Sequence, residues 1–253
     1  MRYSSARNIA YIALMTALLI GGQYALGFVA GVEVVTVLLL CFSAYFGVVC
    51  GVLTAVSFSL LRCIIWGFYP AVIILYLIYY PLFALCFGLL GKIKKEQFDG
   101  AKIWLCAVVN ILLAALCAAC VCCAAFNVIK ISALYKRTLQ IFLYVLSAIS
   151  AALLIAFDVL FVLTRRKVLK GGNALKLFFF TAVAAIFTAC FTLLDDVISP
   201  LILGMTPLTA LTYFYASFTA MLPQIVCTVA TVLTLYYPVT FALTKACKKP
   251  EIY

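Results

Sequence analysis

Seven acids in 253 residues make the position of each one informative. Asp195 and Asp196 stand inside an apolar run, Glu33 stands at the start of one, and Arg62 stands near the end of another. Charges at membrane depth are costly and usually face a cavity or pathway. Spacing gives them company. Thr188, Thr192, Asp195 and Ser199 share one helical face, as do Tyr213, Ser217, Gln224, Thr228 and Thr231. Gln23 adds an amide, and Tyr76, Tyr79, Tyr80 and Phe83 line one face of a further helix. Together these groups outline a polar and aromatic cavity suited to holding a small molecule.

Other chemistries lack their parts. With no histidine there is no HExxH zinc site and no histidine general base. No GxxxxGK[ST] occurs, so ATP hydrolysis by a P-loop would need another chain. Asp195 and Asp196 are adjacent, so their side chains diverge on a helix and do not form an opposed acid/base pair. The remaining pairing, Asp158 with either of them, joins groups at different depths, so no enzymatic activity and no cofactor is expected. The twelve cysteines are scattered through apolar segments and read as small packing residues. Their densest group, Cys117, Cys120, Cys122 and Cys123, contains a CxxC but sits inside a predicted span, which favours packing over metal ligation. Blander roles are open for several candidates. Arg62 could snorkel to headgroups, Trp66, Phe68 and Tyr69 could form an interfacial belt, and Glu33 could serve a helix start. Asp158 is expected to pair with the basic cluster around Arg165.

Placing these groups requires helices in lipid. The chain is 68% hydrophobic and 10% charged, with mean hydropathy +1.27, which excludes a water-soluble domain. At about 20 apolar residues per crossing, the sequence predicts an all-α polytopic bundle of about eight spans, at 8–28, 34–46, 48–66, 71–90, 103–128, 139–163, 177–198 and 208–243. The second and third are short, and the last is long enough to need a kink at Pro223. The first run is too long for a cleaved leader and is taken as a retained span. The net charge of +11 sits in clusters between spans, where the positive-inside rule accounts for it without a nucleic-acid partner. With eight spans and both ends inside, the inner segments hold Arg2, Arg7, Lys92, Lys94, Lys95, Lys102, Arg165, Arg166, Lys167, Lys170, Lys176, Lys245, Lys248 and Lys249. Only Lys130, Lys136, Arg137 and the intramembrane Arg62 fall elsewhere. Glu33, Arg62, Asp195 and Asp196 then lie toward the outer face.

The first helix carries a different signal. Ala6, Ala10, Ala13, Ala17 and Gly21 form a nearly bare stripe, with Ile9, Ile12, Leu14, Leu18 and Leu19 read as the bulky opposite face. In lipid such a stripe lets another helix approach closely. This basic, small-residue-striped helix with its AxxxA at Ala13 and Ala17 is followed by a Gly-bearing loop, two short helices and a fourth helix ending in Gly91 and Lys92. In that order it resembles the substrate-binding S component of energy-coupling-factor transporters, the vitamin importers of prokaryotes. The resemblance covers 6–92 and resumes at 177–245, leaving 103–163 as an inserted helical hairpin within a single membrane domain. It implies a cell-membrane protein that binds a vitamin, cofactor precursor or similar small molecule near the outer face. It also implies partners: a transmembrane T component and two ATPases that drive a toppling motion. On this sequence Ala10, Ala13 and Ala17 would be the coupling surface, and Gln23, Glu33, Arg62, Tyr76, Tyr80, Asp195, Asp196 and Gln224 the ligand-binding candidates. Three acids against one arginine point to a cationic or zwitterionic ligand, with an aromatic ring stacking on tyrosines. The alternatives are a secondary transporter, which would place charges near midplane within inverted repeats, and a self-associating membrane scaffold.

Overall fold

The computed structural model describes residues 5–28, 34–125, 133–168 and 172–247. Among these the chain is all helical: α1 (Ser5–Leu26), α2 (Val35–Phe46), α3 (Val48–Trp66), α4 (Pro70–Leu90), α5 (Lys95–Asp99), α6 (Ile103–Ala125), α7 (Ala133–Arg165), α8 (Gly172–Ile202) and α9 (Pro207–Cys247). Seven are long and apolar enough to cross a membrane. The other apolar helix, α2, has 12 residues and rises only about 18 Å, well short of the roughly 30 Å hydrocarbon core. The protein is a multi-pass membrane bundle of seven long spans with α2 as a short eighth element.

Glycines let α2, α3 and α4 close on one another. A single residue, Gly47, separates α2 from α3, and its φ of 88° is open to glycine but strained for other residues. The far end of α4 nestles against that turn. A Cβ added at Gly88 would lie 2.7 Å from the Cα of Val48, and one at Gly91 would run into the backbone of Ala44. Close backbone approach of this kind is how helices gain van der Waals contact in lipid. At the other end of the pair, Gly67 (φ 108°) turns the chain and Pro70 starts α4, where its missing N–H costs nothing.

The structure departs from the expected outline in four places. The basic loop after α4 contains α5, whose fully buried Phe98 packs edge-on to Phe179 of α8 at 5.8 Å. Helices α7, α8 and α9 run beyond their predicted limits at both ends. Helix α8 starts at Gly172 and continues through Pro200 to Ile202, so the proline-marked loop shrinks to 203–206. Helix α9 extends to Cys247, with Pro223, the expected kink site, and Pro238 inside it. Lys176, expected in a loop, lies buried within α8, with its ammonium 5.8 Å from the ring centre of Phe180.

Helix α1 lies on the outside of the bundle, against α2 and α3. Its inward face is Met15, Thr16 and Leu19, all buried, with Tyr11 against Phe46 and Tyr24 against Trp66. The stripe of Ala10, Ala13, Ala17 and Gly21 faces outward. Leu14 (61% exposed) and Leu18 (52%) flank that stripe instead of opposing it. At 100° per residue both lie within about 100° of its centre, so the expected bulky back face reduces to Ile12 and Leu19. The α6–α7 hairpin is no appendage. Its Cys120, Leu139, Leu143 and Leu146 share a core with Ala185 and Ala189 of α8 and Phe218, Met221 and Ile225 of α9.

Candidate functional site

The polar faces read from α8 and α9 meet. Thr188 and Thr228 share a 2.9 Å hydroxyl contact, and because Thr188 donates to the carbonyl of Ala184, Thr228 is the donor across the helices. One turn further along α8, Thr192 donates to Oε1 of Gln224 at 3.3 Å. Ser217 donates to Oδ2 of Asp196 at 2.7 Å, and Tyr213 donates to Oδ2 of Asp195 at 2.7 Å. Asp195 also receives the hydroxyl of Ser199 on its Oδ1 at 2.6 Å.

These rungs are not evenly spaced, and the unevenness makes a space. Between the Thr192–Gln224 and Asp195–Tyr213 rungs α8 advances about 4.5 Å, whereas α9 covers about 16 Å. Over that interval α9 presents Ala216, Ser217 and Ala220, two of which have almost no side chain. The result is a cleft of about 260 Å³ lined by Phe191, Thr192 and Asp195 from α8 and by Tyr213, Ala216, Ser217, Ala220 and Gln224 from α9. One rung closes it below, and the carboxylate with its tyrosine stands at the other end. Of the described residues lining it, Asp195 alone is charged. Asp196 sits beside it, 9% exposed, with Oδ1 buried and without a hydrogen-bond partner.

The chain matches no protein-family model, no curated protein and no solved structure. What the site does is therefore read from its own geometry.

The remaining predicted ligand residues form a second cluster. Arg62 lies with its guanidinium carbon 4.5 Å from the ring centre of Tyr76 and 5.7 Å from that of Trp66, and its Nε is buried without a hydrogen-bond partner. A cation over aromatic faces is a stable arrangement in itself. Gln23 reaches the Tyr76 hydroxyl at 3.4 Å. Tyr80 packs edge-on to Phe58 at 5.1 Å and beside Tyr76 at 4.9 Å. Gln23, Arg62, Tyr76 and Tyr80 do not line the cleft. Phe191 touches both groups, 5.9 Å from Tyr76 on one side and part of the cleft wall on the other. Among the described residues, Asp195 and Gln224 border this cleft, and Gln23, Arg62, Tyr76 and Tyr80 form a neighbouring cluster. Glu33 lies outside the described residues.

Asp158 finds its partner across the hairpin. Asn110 donates to its Oδ1 at 2.8 Å, and the Cys106 thiol approaches at 3.5 Å, so a side-chain amide takes the place expected for the Arg165 cluster. The described cysteines are free thiols, and among the described residues no group of three or more His, Cys, Asp or Glu side chains could hold a metal ion. Phe191, Ala216 and Ala220 were not singled out by sequence. The signal was present: Ala216 and Ala220 repeat the AxxxA spacing on the same face as Tyr213, Ser217 and Gln224.

Proposed function

We propose that this chain is the substrate-binding S component of an energy-coupling-factor importer, serving a vitamin, cofactor precursor or similar small water-soluble molecule at a prokaryotic cytoplasmic membrane. The observation that carries this reading is a division of labour between two surfaces. The α1 stripe of Ala10, Ala13 and Ala17 faces out of the bundle, while the polar cleft lies on α8 and α9, toward the end of the bundle away from most of the lysines and arginines. Helix α1 is also the least covered long helix: 17% of its most apolar stretch is buried, against 61% in α8. A smooth, uncovered helix is what a transmembrane partner needs for close approach. In this reading a T component docks on α1, two ATPase subunits supply the hydrolysis for which the chain has no motif, and the chain itself has neither catalytic residue nor cofactor.

The test is co-purification from a host expressing the coupling module. Wild-type protein should retain the T component and both ATPases, and Ala13→Trp should reduce their recovery at least tenfold while its own melting temperature stays unchanged. Absence of ATPases from the wild-type preparation overturns the importer reading. A wild-type homodimer that Ala13→Trp separates would favour the scaffold, for which the same stripe would serve as the self-pairing face.

A further inference from the structure

We propose that the α8–α9 cleft takes a small organic monocation carrying an aromatic ring, with Asp195 as its counter-ion. This rests on the reading of the cleft as a ligand site and narrows the ligand class from cationic or zwitterionic to cationic. Arg62, the arginine among the ligand candidates, is stacked on Tyr76 and Trp66 and does not border the cavity. Among the described residues of the cavity wall the charge is that of one carboxylate. The groups that donate to it, Ser199 and Tyr213, are neutral hydroxyls. They orient the carboxylate without neutralising it and use two of its roughly four lone-pair positions, leaving the rest for a ligand.

The apolar setting sharpens the need for a cation. Asp195 lies within Gly172–Ile202, a helix long and apolar enough to cross a membrane, where an uncompensated carboxylate is costly. Phe191, one turn away on the same helix, and Tyr213 across the gap supply aromatic surface beside that charge, which favours a cation and a stacked ring together. Gln224, Ser217 and Thr192 offer hydrogen bonds to polar substituents. A volume of about 260 Å³ falls below the usual range for drug-sized ligands, so the ligand is compact.

A charge series on the full-length protein in nanodiscs tests this directly. Phenethylammonium, 2-phenylethanol and phenylacetate have similar size and differ in charge. By titration calorimetry, phenethylammonium should bind at least tenfold more tightly than 2-phenylethanol, and phenylacetate should not bind. Asp195→Asn keeps the side-chain shape and should remove the advantage of the cation; the wild-type series needs no variant to fold. Equal binding of the cation and the alcohol, preferred binding of phenylacetate, or no binding of phenethylammonium would each overturn the assignment. Those outcomes leave the importer reading where it stood, since recovery of the T component and ATPases does not depend on the charge of the ligand.

Discussion

The α6–α7 and α8–α9 hairpins each carry an aspartate into the apolar region and surround it differently. In α6–α7 the carboxylate of Asp158 meets the amide of Asn110, Cys117 faces Ser147 at 3.1 Å, and Gln140 donates to the carbonyl of Ala124. Polar groups there find each other across a closed helix pair. In α8–α9 the carboxylate of Asp195 meets hydroxyls at the edge of an open space, and the neighbouring α9 side chains shrink to Ala216 and Ala220. A partly buried acid matched by a donor of fixed geometry fastens two helices. One left with spare acceptors beside a void is poised for something absent from the chain itself.

Filling the void should separate the two most completely. Ala216→Trp places an indole in the cleft, so affinity for phenethylammonium should fall at least a hundredfold by calorimetry. The melting temperature should stay within a few degrees, because Ala216 is half-buried and borders open space. Undiminished binding would move the ligand elsewhere and reduce the α8–α9 cleft to a packing gap.

The opposite signature is expected from α6–α7. Asn110→Leu strands Asp158 with only a thiol nearby, and a lost hydrogen bond to a charged group costs about 1.5 kcal/mol or more. That is near the upper end of interhelical hydrogen bonds measured in membranes. The stability of the protein in detergent should fall by about this amount, with phenethylammonium affinity unchanged. Combining Asn110→Leu with Asp158→Leu should recover most of the loss, since removing both partners leaves no orphaned charge. A double variant as unstable as the single one would show that Asp158 has a role beyond fastening the hairpin.

How much of this contrast was legible in the sequence follows from what periodicity records. Apolar runs gave the long helices, and the i, i+4, i+7, i+11 spacing of Thr188, Thr192, Asp195 and Ser199 gave the face that α8 turns to α9. Helix α5 was invisible because five residues hold less than two turns of pattern, and one buried Phe98 in a basic loop resembles any other aromatic. Pro200 hides the end of α8 because proline usually marks a loop, whereas in a last turn its missing N–H leaves only one carbonyl unbonded. Depth along a helix is readable from spacing, but direction around the bundle is not. Spacing puts Arg62 and Asp195 at one level, and it does not show that Phe191 packs against the α4 tyrosines between their two clusters. The AxxxA spacing shows the same limit. At Ala13 and Ala17 it faces out of the bundle, and at Ala216 and Ala220 it borders a cleft; only the neighbours decide between a docking face and a cavity wall.

The smallest expected effect asks where fastening ends and the cleft begins. Thr188 and Thr228 are fully within the bundle, one rung beyond the Thr192–Gln224 pair that closes the cavity. Thr188→Val keeps the volume and the branched shape but deletes the acceptor for the Thr228 hydroxyl. Interhelical hydrogen bonds between neutral groups in membranes average about 0.6 kcal/mol, so thermal unfolding should register a loss of roughly that size. Phenethylammonium affinity should be unchanged within twofold, because Gln224 keeps its own partner in Thr192. If affinity falls as well, the influence of the site extends a full turn deeper along α8, and the whole polar ladder belongs to ligand binding instead of to helix pairing.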